Sequence, residues 1–321
     1  LKVTTLIFLV FYTCTWSQIS GCTDPLSKNF NAKATINDGS CQYRKTKTKP
    51  EFSIQLSDSL VENSTLFYYD SLLWTANDDA DPTLYGLNTS GKIEKKITIA
   101  GLKNKEWEEI SQDDDYLYLG DFGNNSSGNR TDLRLLRLSK KELYSNNIKI
   151  DTIAFSYENQ SDFSIQQANT THFDCEAFIV LKDSIYLFTK QYDDKQTSVY
   201  VVPKKPGTYP AKLQKTFDVD GLITGATYDK NFKTVVLCGY SKLLQPFIYL
   251  LSDFQDTAFF SGNKRKIKVK LPFHQIEGVA TPNGLDYYIS NEKTVRKPLF
   301  NTPQQLHKIY LRDYILNYLV N

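Results

Sequence analysis

The segment Glu106-Trp107-Glu108-Glu109-Ile110-Ser111, then Gln112-Asp113-Asp114-Asp115, then Tyr116-Leu117-Tyr118-Leu119-Gly120-Asp121-Phe122-Gly123-Asn124-Asn125, decides how this chain is read. It spells two short strands around a polar turn. Acids open the first strand. The second alternates aromatic and aliphatic residues, the period of a strand with one face buried, and ends on Gly, Asp and Asn. The same plan returns at residues 62–67 with 72–76, 174–179 with 184–189, 223–227 with 234–239, and 275–280 with 286–290.

Two further strands follow most of these hairpins. They are expected at 82–87 and 96–100, at 133–138 and 151–157, at 199–202 and 213–219, and at 247–251 and 266–271. The last hairpin has one clear successor, 307–311. Aligned on the first strands, the anchors are Glu62, Glu108, Glu176, Thr224 and Glu277, at spacings of 46, 68, 48 and 53 residues. Four-stranded repeats of roughly 40–50 residues are the signature of propeller blades. The expected fold is therefore an all-β propeller of five blades, or six if the polar insertion at 158–171 hides a degenerate one. Strand 52–56 precedes the first anchor as 266–271 precedes the last. It can complete the final blade and close the ring, which removes an open sheet edge. Residues 301–305 read as a loop and 313–320 as a closing tail.

Composition agrees. The 321 residues include 21 Tyr and 19 Phe, the aromatic enrichment of strands. No helical periodicity is sustained outside short pieces such as 140–144. A formal charge of +2 marks no surface for nucleic acid. The basic run 44–49 reads as a solvated linker rather than an anionic-surface contact.

Residues 1–17 have the form of an export signal, with Lys2 as the positive end, an apolar core at 6–12 and a cleavage point at Ser17-Gln18. The apolar run is too short to span a bilayer, so no transmembrane segment is expected. Lipidation would fall on Cys14, but the bulky residues before it oppose this. A secreted, periplasmic or cell-surface protein is expected. The rest divides into an N-terminal module with its linker, 18–50, and a propeller, 51–321. Export permits disulfides. Cys22 and Cys41 flank a small polar loop and are expected to pair. Cys175 and Cys238 can bond to one another or stay as buried free thiols.

In a propeller, the start of each first strand and the end of each second strand meet at one end of the channel. This brings Glu62 near Asn77 and Asp78, and Glu108 near Asp121 and Asn124. It also brings Glu176 near Lys190, Thr224 near Tyr240, and Glu277 near Asn291 and Glu292. His172 and His274 lead into first strands and are expected at the same mouth, while His307 is expected at the periphery. Crowded carboxylates repel, so they bind a cation, pair with Lys190 or stay protonated. Glu62, Glu108, Glu176 and Glu277 are the candidate metal ligands, with calcium the natural cation for carboxylate and amide oxygens. The opposing reading satisfies the same acids with backbone amides and water. Zinc is disfavoured because no close His pair occurs. No phosphate loop or Gly-x-Ser-x-Gly elbow is present, and Trp107 reads as packing between blades rather than stacking on sugar.

Two resemblances add to this. GCTDPLSKNFNAKATINDGSCQY, residues 21–43, resembles a short Cys-bounded module of exported proteins in some Gram-negative bacteria, and reads as a disulfide-closed spacer rather than a calcium loop. The phrases SLLWTANDD, EWEEIS, YLYLGDFGNN followed by Arg130, DCEA, ITGA, and IEGVA with YYISNE together resemble exported bacterial propellers related to the phytase-like and esterase-like group. That resemblance implies a propeller with an acidic channel mouth, in a group that includes calcium-dependent phosphatases and lactonases. The chain lacks the Lys and Arg cluster of the phytases and offers only Lys190 and Arg130. Two functions follow as expectations. One is a binding or scaffold propeller for a small molecule, glycan or surface protein. The other is a calcium-dependent hydrolase in which His172 or His274 moves the proton, with Glu108 and Lys190 beside it.

Overall fold

A computed structural model describes residues 18–145 and 147–319. The export signal and Cys14 lie outside them. Among the described residues the strands form five antiparallel four-stranded units, and their pairing is that of a β-propeller. The first unit is Phe67–Tyr69, Leu72–Thr75, Thr83–Leu87 and Ile93–Thr98. The second is Trp107–Gln112, Tyr116–Asp121, Arg134–Ser139 and Ile150–Tyr157. The third is Cys175–Leu181, Ser184–Thr189, Gln196–Pro203 and Gly207–Asp218. The fourth is Leu222–Asp229, Thr234–Tyr240, Pro246–Ser252 and Asn263–Val269. The fifth is Ile276–Ala280, Asp286–Asn291 and Gln305–Tyr310, completed by Phe52–Gln55 from the other end of the chain.

Burial explains the layout. The leading strands run apolar on both faces, as in Cys175–Leu181 (CEAFIVL), because they are covered on both sides. Each packs beside the next: second against third, third against fourth, fourth against fifth, and fifth against first. The outer strand Ile93–Thr98 (IEKKIT) is largely exposed and carries the lysines that discourage edge pairing. Trp74 and Trp107 are fully buried in one cluster with Leu119 and Leu136, which seals the first unit to the second.

Several segments depart from the expectations drawn from sequence. The strand expected at 62–67 is reduced to Phe67–Tyr69 plus an isolated bridge, Asn63 to Asn77. The basic run is not a free linker: Thr46–Thr48 pairs in parallel with Asn263–Val269. The long strand Gly207–Asp218 pairs with its own unit and, in parallel, with Ile150–Tyr157, joining units two and three in one sheet. Of residues 301–305, Asn301 and Thr302 belong to a hairpin, Thr294–Arg296 with Phe300–Thr302, Pro303 and Gln304 form the connection, and Gln305 starts the next strand. The closing tail is a helix, Arg312–Leu319, with Ile315 buried in the core beside Tyr314. The insertion at 158–171 holds no strand among the described residues. It is hydrogen-bonded to the turn after Tyr116–Asp121 through Gln166 N to Ser127 O and Asn169 N to Asn125 O, at 2.9 and 2.7 Å.

Cys22 and Cys41 form a disulfide, and Cys175 and Cys238 are buried free thiols. The disulfide-closed module is clipped to the fourth unit. Thr23 and Asn37 donate to Asp253 at 3.0 and 2.8 Å, and Lys264 donates to Gly39 O at 2.9 Å. Among the described residues no helix is long and apolar enough to cross a membrane.

Candidate functional site

The anchors owe their position to bulges. In the second unit Trp107 pairs with Asp121 and Glu109 with Gly120, so Glu108 is the extra residue between them. The same slip leaves out Glu176 between Cys175 and Ala177, Thr224 between Ile223 and Gly225, and Glu277 between Ile276 and Gly278. A bulge adds one residue to one strand and re-aims its side chain. Here it does so at the same position in four units. In the first unit the extra residue falls between Asn63 and Phe67. The anchor there is Ser64 rather than Glu62. Ser64 Oγ donates to Trp107 O as Thr224 Oγ1 donates to Ile276 O, each hydroxyl reaching the residue before an anchor in another unit.

Glu108, Glu176 and Glu277 line one cavity of about 540 Å³ together with Ser64, Asp78, Lys190, Tyr240 and Glu292. The cavity is large enough for a small organic ligand. Lys190 is ion-paired to Glu176 and lies 3.8 Å from Asp174. Burial pulls the Lys190 ammonium down, but Glu176 and Asp174 outweigh it and hold its pKa well above the usual value. Glu108 is 5 % exposed, and its Oε1 has no hydrogen-bond partner among the described residues. Gly123 makes room for that oxygen, because a Cβ there would collide with it. Burial, then the Glu176 charge, pushes the Glu108 carboxyl well above the ordinary range. Burial and Glu292 do the same to Glu277.

A second group of acids adjoins these. Glu62, Asp78 and Glu292 each offer a carboxylate oxygen, and the three oxygens lie within 4.8 Å of one another. Burial and then Glu62 raise Asp78 to about 7, and burial and then Asp78 raise Glu292 to about 8. Carboxylates so placed hold a proton or a cation. Of the four acids expected to ligate a metal, only Glu62 belongs to this trio.

Other expected site residues do not line the cavity. Asp121 is fully buried between Arg130 and Arg134, at 3.0 and 2.8 Å. Arg130 also donates to Gly123 O and Asp132. Asn124 is held by Asp174, Phe173 and Arg130. These three therefore brace the turn that carries Gly123. Asn291 is bound to His307, Glu292 and Pro303, and Asn77 donates to Ser59 O. His172 is exposed and 3.2 Å from Asp194. His274 is engaged by Pro272 O and Gln305 Oε1. His307, on the third strand of its unit, is fully buried between Ser53 and Asn291, and burial lowers its pKa to about 3.

The sequence reading missed two features. One is Glu109, fully buried beside Glu108, which accepts from Thr65 Oγ1 at 2.8 Å and from Ile110 N and Ala226 N at 2.9 Å. It ties the first, second and fourth units together. The other is an apolar rim on the cavity, formed by Leu243, Leu244, Phe273, Leu299 and Phe300.

No protein-family model and no curated protein matches the chain. Solved structures similar to it include three that share only a distant likeness. Hydrazine synthase of Kuenenia stuttgartiensis is 10 % identical with a TM-score of 0.40, covering 81 % of this chain and 65 % of that one. A streptogramin B lyase is 10 % identical with a TM-score of 0.41, covering 80 % and 96 %. A chain of a mitotic checkpoint complex is 11 % identical with a TM-score of 0.42, covering 85 % and 97 %.

Proposed function

We propose that this protein is an exported binding propeller that takes a small ligand in the acidic cavity between its leading strands. The five units are read as five blades of one ring, closed by the pairing of Phe52–Gln55 with Gln305–Tyr310. The disulfide is compatible with export. One observation carries the reading. Bulged acids of three units meet at one cavity, and one of them, Glu108, keeps a buried oxygen without a partner. Such an oxygen is costly unless something fills the position. The carboxyl oxygens of Asp78, Glu108, Glu277 and Glu292 on the wall give a cationic group several acceptors to meet.

Thermal melting with three probe classes tests this: divalent chlorides, oligosaccharides and organic amines, each on the wild type and on Glu108→Gln/Glu277→Gln. At least one class should raise the wild-type midpoint, and the double variant should lose that rise. No rise with any class, or a rise that survives the substitutions, contradicts the reading.

A second reading, a calcium-dependent hydrolase, is favoured by the Glu62, Asp78 and Glu292 trio. Their oxygens are close enough to share one cation with the Ca–O distances of about 2.3–2.6 Å. A cation there would polarise a substrate oxygen. Lys190, on the wall of the same cavity, would pair with an anionic group of the substrate. Ester, lactone and phosphomonoester turnover, with and without chelator, tests it. Chelator-sensitive turnover lost in Glu292→Gln supports it, and absence of turnover with all three substrates removes it.

A further inference from the structure

Acids form the floor of the cavity, and part of its rim, beside Lys242 and Arg296, is apolar and unusually exposed. Leu243 is 84 % exposed, Leu299 is 81 % exposed and Phe273 is 48 % exposed, and all three line the same cavity. Phe273 stacks on Phe300 with ring centroids 4.7 Å apart. Two rim residues hold left-handed backbone, Leu244 at φ 53° and Phe273 at φ 63°. Bulky residues rarely adopt that conformation, and it persists only where the surroundings enforce it. His274 N donates to Leu244 O at 3.2 Å and ties the two rim loops together. The rim is therefore a built feature.

A bare divalent cation would use the acids and leave the rim uncovered. A neutral sugar would cover the rim but leave the Glu108 and Glu277 carboxyls without a cationic partner. Resting on the binding reading above, we propose that the ligand is an amphiphilic primary amine. Its ammonium sits at the floor beside Glu108 and Glu277, and its apolar portion lies against Phe273, Leu243 and Leu299. Charge complementarity selects the head, since Glu176 already has Lys190 as its partner while Glu108 Oε1 has none. The apolar rim selects the tail, because covering exposed aliphatic and aromatic surface is favourable in proportion to area. Three donors on an ammonium suit several carboxylates at once.

Isothermal titration with phenethylamine, its neutral isostere 2-phenylethanol, methylamine, calcium chloride and an oligosaccharide tests the assignment. Phenethylamine should bind at least about tenfold more tightly than 2-phenylethanol and than methylamine. Leu243→Ser/Leu299→Ser should reduce phenethylamine affinity and leave the melting midpoint in place, since both side chains are exposed. Glu108→Gln should weaken phenethylamine and leave 2-phenylethanol unchanged. Equal affinity for amine and alcohol, or an amine affinity indifferent to the rim substitutions, overturns the proposal. If an oligosaccharide or calcium binds at Glu108 and Glu277 while no amine does, this proposal falls and the binding reading stands. If no probe of any class binds, both fall.

Discussion

The ammonium of Lys190 pairs with Glu176, and the Glu176 side chain is only 3 % exposed. The pair joins the bulge of Cys175–Leu181 to the residue following Ser184–Thr189. Lys190 also lies near Asp174, whose carboxylate holds Asn124 N at 2.7 Å. Replacing Lys190 with Met removes the one cation that, among the described residues, pairs with the buried Asp174 and Glu176. Breaking a buried pair from one side costs about 3–5 kcal/mol. Urea unfolding of Lys190→Met should show a loss of that order. A loss below about 1 kcal/mol would mean that the pair is solvated and easily replaced.

The acids should make stability depend on pH in the direction opposite to that of paired surface carboxylates. Asp78 rises from 3.8 to about 7 and Glu292 from 4.5 to about 8, both chiefly through burial. A raised folded-state pKa contributes stability that is fully present below the unfolded value and lost as pH climbs through the folded one. The melting midpoint of the ligand-free protein should therefore fall between about pH 4 and pH 8. Asp78→Asn/Glu292→Gln should flatten that fall. A midpoint that rises over the same range contradicts the assigned burial.

Glu109 should matter to the fold rather than to binding. Burial raises its carboxyl well above the ordinary range, although Ala226 N, Thr65 Oγ1 and Ile110 N all donate to it. Glu109→Ala opens a void and strands the donors of Thr65 and Ala226, at about 1–3 kcal/mol for each unsatisfied group. The expected sum is about 3–5 kcal/mol, read by chemical denaturation. A change within about 0.5 kcal/mol would show that the strands hold together without it.

Gly123→Ala tests how Glu108 is positioned. The new methyl collides with Glu108 Oε1 and with Glu106. Overpacking of this kind costs about 1–3 kcal/mol. Cation binding at the cavity should drop by about tenfold or more while the protein stays folded. Binding equal to wild type would show that the Glu108 carboxylate is not what the ligand meets.

The repeat was readable because strand alternation and polar turns are local properties of the chain. Glu108, Glu176 and Glu277 stood out as acids at equivalent points, and they do share a cavity with Lys190, Asp78, Tyr240 and Glu292. Glu109 was missed because it follows Glu108 directly, and nothing in one strand says which neighbour a bulge will turn toward the cavity. The register slip exists only between two paired strands. The same limit misplaced the first anchor at Glu62 instead of Ser64. Asp121 and Arg130 read as ligand groups because polar residues at a strand end look alike, whether they meet a ligand or, as here, each other. The rim went unseen because Leu243 and Leu299 lie in loops, where exposed apolar residues follow no period.

The central claim is that carboxylates from separate units converge on one cavity and give it affinity for positive charge. Anomalous scattering from crystals soaked in a terbium salt tests it most directly. The account predicts a peak in the cavity within bonding distance of carboxylates from at least two units, among Asp78, Glu108, Glu277 and Glu292. Peaks confined to exposed surface acids, with those four side chains apart from one another, would contradict it.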